Sequence, residues 1–303
     1  MKFELTVLGC SSATPTRDRH PSSQVLTICD KLFLVDCGEG TQMQMRKYHV
    51  KFQRIDHIFI SHLHGDHYLG LAGLLFTMHL FGRTKELHIF ANSDLDTLLK
   101  LQFKASETHL LYPLVFHPLA ENTSELLYED EKIRVSSFPL VHRVPTHGFL
   151  FVQKNDMLHL NRDNFVAYHI PFEYFKKIQQ GEDYIDSTGK TIPNKELTLP
   201  RCEPKRFAYC SDTAYSPEII PYIENADLLY HETTFMNDME ATATLKQHST
   251  TIQAAQIAKQ AHVKKLLIGH FSARYDDLAP VLDETMRVFA NSELAIEGES
   301  YCI

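Results

Sequence analysis

Residues 61–67 read SHLHGDH and set three histidines and one aspartate within six positions. Side chains of this kind crowd together when they share a cation, so the stretch points first to metal binding. His62 and His64 have the same parity along an extended chain and can face one ion; Asp66 and His67, beyond Gly65, can turn toward a second. Nitrogen and oxygen donors together suit zinc, or manganese where oxygen predominates. Four residues cannot close two coordination shells, so more ligands must come from elsewhere. His142 follows VSSFPLV, Asp212 follows RFAYCS and His270 follows KKLLIG. Each ends an apolar run, where its side chain can reach the same mouth. Taken singly, Asp212 could cap a helix and either histidine could be a loop residue.

Such a cluster needs strands to hold it. LTVLG (5–9), SQVLTI (23–28), KLFLVD (31–36) and HIFIS (57–61) read as strands, with Cys29-Asp30 as a hairpin turn. EGTQMQMRKY reads as a helix, as do Leu69 to Phe81 and Asp94 to about Lys104, with the strand ELHIF (86–90) between the last two. ELLYEDEKIRVSSFPL is a pair of strands and GFLFVQ (148–153) another strand. From 154 to 205 the rhythm breaks into polar, turn-rich chain with one helix candidate, PFEYFKKIQQ. That segment reads as an arm inserted into a single domain spanning 1–303. Strand-then-helix order resumes with RFAYCSD, ADLLYHE, TIQAAQIAKQAH and KKLLIGHF. Two halves with the same element order predict an α/β protein, two sheets face to face with helices outside.

Composition sets the outer limits. The 303 residues are 44% hydrophobic and 22% charged, enough for a large core, and the net charge is −8. That balance exerts no global pull on nucleic acid or anionic membrane, so a polyanionic substrate would need local basic patches. Candidates are MRKYHVKFQR (Arg46, Lys47, Lys51, Arg54) and the arm lysines with Arg201, Lys205 and Arg206. The six cysteines form no C-x-x-C pair and read as reduced, mostly buried thiols. MKFELTVLGC lacks the regions of a signal peptide, and the most apolar stretch, 69–82, is shorter than a bilayer span. A cytoplasmic enzyme with no membrane partner is the expectation.

SHLHGDH with His142, Asp212 and His270 resembles the H-x-H-x-D-H signature and later motifs of the metallo-β-lactamase superfamily. The resemblance implies a four-layer αββα sandwich. It also implies two Zn2+ ions per subunit, with Mn2+ the alternative. His62, His64 and His142 would hold one ion, Asp66, His67 and His270 the other, and Asp212 would bridge them.

Three further stretches resemble the ribonuclease Z family within that superfamily. GCSSATPTRDRHPSS (9–23) is similar to its G-T/S-x-x-x-x-P-T-x-x-R-N-x-S-S loop, with His20 in place of asparagine. HETTF (231–235) resembles its H-E-A-T motif with Thr233 for alanine, and HST (248–250) matches its H-S-T motif. The resemblance implies a zinc-dependent endoribonuclease that removes 3′ trailers from precursor tRNA, leaving a 3′-hydroxyl on the tRNA and a 5′-phosphate on the trailer. Asp66 would accept a proton from the attacking water, and Glu232 would orient His248 as proton donor to the departing 3′ oxygen. Read without the resemblance, HST also suits a helix N-cap at Ser249 or Thr250. Arg17 and Arg19 in the first loop, and Lys176 and Lys177 in the arm, would contact substrate. The arm lacks the glycine-proline, basic tip the family pattern carries. Family resemblance also suggests a homodimer. The alternatives are a small-molecule phosphodiesterase, or a thioesterase or lactonase on the same dinuclear fold, and, from another class, a metal-stabilised binding or redox module.

Overall fold

Along LFLV the side chains bury on both faces: Phe33 and Val35 join one apolar cluster, Leu32 and Leu34 another. A strand covered on both sides belongs to a layered fold. The structure, a computed structural model, describes residues 2–154, 158–199 and 203–303. Three antiparallel strands, β1 (Phe3–Gly9), β2 (Ser23–Ile28) and β3 (Lys31–Cys37), begin the first sheet, with Cys29-Asp30 as the turn. The chain then runs through α1 (Thr41–Lys47), β4 (Ile55–Phe59), α2 (Gly65–Tyr68), α3 (Leu71–Leu80), β5 (Leu87–Ala91), α4 (Asp94–Ala105) and β6 (Leu114–Pro118). β3 to β6 are parallel neighbours, so their carboxyl ends share one edge.

β7 (Glu125–Glu129), β8 (Ile133–Leu140) and β9 (Thr146–Gln153) form the antiparallel part of the second sheet. The inserted segment follows, with β10 (His159–Leu160), α5 (Arg162–Ala167), α6 (Phe175–Gln179), β11 (Tyr184–Ile185), β12 (Thr191–Ile192), α7 (Asn194–Leu197) and β13 (Thr198–Leu199). The sequence suggests one helix here; the described residues hold three, with two small strand pairs around an apolar cluster of their own. Helices of four to six residues are too short for a 3.6-residue period to show, which explains the difference. β14 (Lys205–Cys210), α8 (Ile220–Ile223), β15 (Leu228–Glu232), α9 (Glu240–Lys246), α10 (Thr251–Gln260), β16 (Leu266–Gly269), α11 (Ala279–Met286) and β17 (Ser292–Leu294) complete the second sheet and its cover. Last, β18 (Ser300–Cys302) returns to pair antiparallel with β1 in the first sheet.

Aromatic rings join the two sheets. Phe59 of β4 meets Phe149 and Phe151 of β9 at ring-centroid distances of 5.5 and 5.4 Å. Leu74, Leu75 and Met78 of α3 and Leu95 and Leu99 of α4 cover the outer face of the first sheet. Ala255, Ile257 and Ala258 of α10 are buried against the second. The result is the four-layer αββα sandwich.

One boundary moves. The helix expected from Leu69 starts at Gly65 and breaks at Gly70, so Asp66 and His67 sit on a single helical turn. Gly70 packs so closely that a Cβ there would lie 2.1 Å from the carbonyl oxygen of Gly38. No side chain larger than hydrogen fits, and the Gly70 N–H leaves the helical ladder to donate to the carbonyl of Cys37 at 2.9 Å. Among the described residues no helix is long and apolar enough to cross a membrane. Cys202 lies outside the described residues; Cys10, Cys37 and Cys210 are buried, and burial pushes the thiols of Cys10 and Cys37 up to about 12.

Candidate active site

Strand ends converge at one edge of the sandwich. His62 follows β4, His142 follows β8, Asp212 follows β14, Glu232 ends β15 and His270 follows β16. His270 takes a left-handed backbone, φ +58°, which costs a non-glycine residue roughly 1 kcal/mol and turns its side chain into the mouth.

The seven candidate ligands meet there in two groups. His64 Nδ1 lies 3.0 Å from His62 Nε2 and 3.2 Å from His142 Nε2. Asp66 Oδ2 lies 3.3 Å from both His67 Nε2 and His270 Nε2. Asp212 divides its oxygens between them. Its Oδ2 is 3.5 Å from His62 Nε2 and 3.6 Å from His142 Nε2, while its Oδ1 is 3.4 Å from His67 Nε2 and 3.1 Å from His270 Nε2. Each group's ligand-capable atoms lie within 4.8 Å of one another.

The hydrogen bonds around the two groups leave ligand lone pairs for cations. His142 Nδ1 donates to the carbonyl of Gln247 at 2.8 Å, which leaves Nε2 a bare lone pair facing His64. Thr234 commits its hydroxyl proton to Glu232 Oε2 at 2.6 Å and so accepts from His270 Nδ1 at 2.9 Å. His270 Nε2 therefore points a lone pair at two carboxylates. His67 Nδ1 is bonded to Asp36 Oδ2 at 2.8 Å, and its buried Nε2 has no hydrogen-bond partner. Lone pairs aimed at lone pairs repel unless a cation lies between, so the residues fit two metal ions. Burial pushes the imidazoles of His62 and His142 down to about 4, so both are neutral donors at pH 7. Burial opposes charge on Asp66, but His67 and His270 outweigh it and hold the carboxyl well below the usual range. Asp212 is likewise held low, against burial, by His270, His67 and His62.

Asp36 is a part of the site that the sequence reading missed. It is fully buried and accepts from Ser61 N at 2.7 Å, Ser61 Oγ at 2.9 Å, His67 Nδ1 at 2.8 Å and Tyr209 Oη at 2.7 Å. An acid ending the apolar run LFLV, as Asp212 ends its own, was the available signal. Asp36→Asn is expected to weaken metal affinity about 10–100-fold by loosening His67. Competition with a chromogenic chelator measures this; unchanged affinity would assign Asp36 to folding alone.

Glu232 is fully buried and accepts four hydrogen bonds: His248 Nδ1 at 2.8 Å, Thr213 N at 2.9 Å, Thr234 N at 3.0 Å and Thr234 Oγ1. Burial disfavours charge on His248, yet the Glu232 carboxylate reverses this and raises the imidazole to about 9. The rest of HST is structural: Ser249 Oγ donates to Thr213 O at 2.8 Å, and Thr250 caps α10 in a capping box with Gln253.

The pocket over these groups has a volume of about 410 Å³, and Ser12, Ala13 and Pro15 of the 9–23 loop form one wall. Ala13 N donates to Asp66 Oδ2 at 2.7 Å, so this loop touches the site through its backbone. Arg19 does not line the pocket: its guanidinium donates to the carbonyls of Ser272 and Tyr275 at 3.4 and 2.8 Å. Arg17 is exposed nearby in the chain, and Lys176 and Lys177 are exposed on α6 of the inserted segment. Arg46 lies over the rings of Phe52 and Phe81, Arg54 donates to Asp30 O, and Arg201 lies outside the described residues. The cations that do line the pocket are Arg143 and Lys246, which the sequence reading passed over although they lie one residue from His142 and two from His248.

Comparison with known proteins agrees with this geometry. The chain is 47% identical over 296 residues to Ribonuclease Z of Phocaeicola vulgatus, covering 98% of this chain and 96% of the relative. It is 46% identical over 302 residues to Ribonuclease Z of Bacteroides fragilis, covering 100% and 99%. Among solved structures, human tRNase Z, short form, superposes with a TM-score of 0.72 at 27% identity over 98% of both chains. A family model described as Anti-Pycsar protein Apyc1 matches residues 3–166, so by its first half the chain also belongs to that family; the match ends before Asp212, Glu232, His248 and His270. Over its full length, with the metallo-β-lactamase fold and a paired His/Asp metal cluster, the chain belongs to the ribonuclease Z family.

Proposed function

We propose that this protein is a zinc-dependent endoribonuclease that removes 3′ trailers from precursor tRNA, leaving a 3′-hydroxyl on the tRNA and a 5′-phosphate on the trailer. The observation that carries the reading is the His248–Glu232 pair, 2.8 Å apart, at the rim of a seven-ligand metal cluster, in a chain that matches ribonuclease Z relatives over its whole length. Five imidazoles and two carboxylates favour zinc over manganese. His62, His64 and His142 would hold one ion and Asp66, His67 and His270 the other, with Asp212 facing both. Bound metal supplies Lewis acidity and a water that ionises near neutral pH.

The chain's own groups do the rest. Asp66 would take a proton from the attacking water. Glu232 fixes Nδ1 of His248, so Nε2 is the nitrogen left for the substrate. A departing 3′ alkoxide is strongly basic, and a protonated imidazole at the rim neutralises it as the P–O bond breaks. Because water is the nucleophile, the chemistry needs no 2′-hydroxyl. The inserted segment 154–205, with Lys176 and Lys177, is proposed as the arm that grips the tRNA body; Arg17 is proposed to reach substrate and Arg19 to brace the loop that carries it.

Incubation of the purified protein with a 3′-extended precursor tRNA, followed by mapping of the product ends, is the direct test. Cleavage at the 3′ side of the tRNA body, abolished by chelator and restored by Zn2+, is expected. Faster turnover of a thioester or lactone than of the precursor would overturn the reading in favour of the other hydrolases of this fold. We also assign the protein a homodimeric state and a cytoplasmic location. Exposed apolar side chains support the dimer: Leu80 is 79% exposed, Phe81 60%, Leu101 62% and Leu111 61%. Light scattering at micromolar concentration should return twice the chain mass of 34.9 kDa; a single-chain mass would remove the dimer.

A further inference from the structure

We propose that Arg143 and Lys246 form a phosphate clamp that holds the phosphodiester next to the scissile one, on the side of the departing 3′ oxygen. The clamp rests on the endoribonuclease reading above. Both side chains line the catalytic pocket, and no other arginine or lysine among the described residues does. Both are exposed, and neither makes an ion pair with any described residue, unlike the arginine of Arg83–Asp56 or the lysine of Lys264–Asp227.

Their proximity is built in. His142 Nδ1 donates to the carbonyl of Gln247 at 2.8 Å, which stitches the loop after β8 to the turn after α9. Gln247 adopts φ +55°, ending α9 and reversing the chain. Arg143 directly follows His142 and Lys246 directly precedes Gln247, so one hydrogen bond brings both cations to the same rim. His248 stands at that rim, its ring 5.0 Å from the ring of His142.

Electrostatics gives the pair its task. Asp66 and Asp212 belong to the metal groups; outside those groups the pocket's charged lining is Glu39, Arg143 and Lys246, with His248 beside them, in a chain of net charge −8. Phosphates of an RNA strand that lie beyond the metal groups meet an acidic protein, except where these unpaired cations stand. Since His248 faces the oxygen that leaves, cations flanking His248 meet the nucleoside that owns that oxygen. The phosphate within their reach is that nucleoside's 5′ phosphate. A phosphodiester substrate with no neighbouring phosphate cannot use the clamp.

The test compares the wild type with the R143A/K246A double variant, both full length. Binding of 3′-extended precursor tRNA, followed by fluorescence anisotropy in chelator across a salt series, should show a shallower slope of log affinity against log salt. The expected change is about 0.7 per cation removed for a single strand. With metal restored, kcat/KM on the precursor should fall at least about 30-fold, and that loss should exceed the loss on bis(4-nitrophenyl) phosphate at least ten-fold. R143K/K246R should recover most of the precursor activity, because phosphate contact needs the charge more than the shape. A charge-matched control, K104A/K259A, removes two exposed lysines that do not line the pocket. An unchanged salt slope, equal losses on both substrates, or an equal loss in the control would overturn the clamp. A wild type that fails to cut precursor tRNA would instead overturn the functional reading beneath it.

Discussion

Replacing Asp212 with alanine is expected to release metal and reduce cleavage at least about a thousand-fold. No other residue of the site faces both ligand groups. Its Oδ2 meets His62 and His142, and its Oδ1 meets His67 and His270. Removing it leaves imidazole lone pairs converging without the shared anion and takes away half of the carboxylate charge among the seven ligands. The side chain is almost wholly buried, so water cannot readily replace it. Metal content by mass spectrometry after gel filtration, read beside the precursor cleavage rate, gives the answer. Retention of two metal equivalents with activity within ten-fold of wild type would show that the two groups do not share Asp212.

His248→Ala should behave differently: metal content near wild type and kcat lower by about 10²–10⁴-fold, the usual value of a positioned proton donor. The structure makes this a sharp test, because His248 also lies within ligand reach of Asp212 and His270. If the alanine variant loses metal, His248 is a ligand and not the proton donor. Glu232 adds a pH signature. His248 must carry its proton to donate it; burial opposes that charge and Glu232 raises the imidazole to about 9. The alkaline fall in rate should therefore lie above the ordinary imidazole range. In Glu232→Gln the attraction is gone, so the alkaline fall should move to lower pH. A fall at the same pH in both proteins would separate Glu232 from the protonation of His248.

The sequence by itself determined the chemistry. Metal ligation depends on a few side-chain types at the ends of apolar runs, and both survive in a linear reading: SHLHGDH, His142, Asp212 and His270 could be picked out and are brought together. The two-sheet architecture was legible for a related reason, since strands buried on both faces show as unbroken apolar runs such as the LFLV of KLFLVD. Other features depended on approach in three dimensions. Asp36 is one acid at one strand end until His67, Ser61 and Tyr209 are packed onto it. Arg19 looked like a phosphate ligand but spends its guanidinium on the carbonyls of Ser272 and Tyr275, more than 250 positions away. Arg143 and Lys246 are about a hundred positions apart and become neighbours through the His142–Gln247 hydrogen bond. Ligand identity is local chemistry and is written in residue types; which charges are free and which side chains support the ligands follows from long-range packing, and only the folded chain decides it.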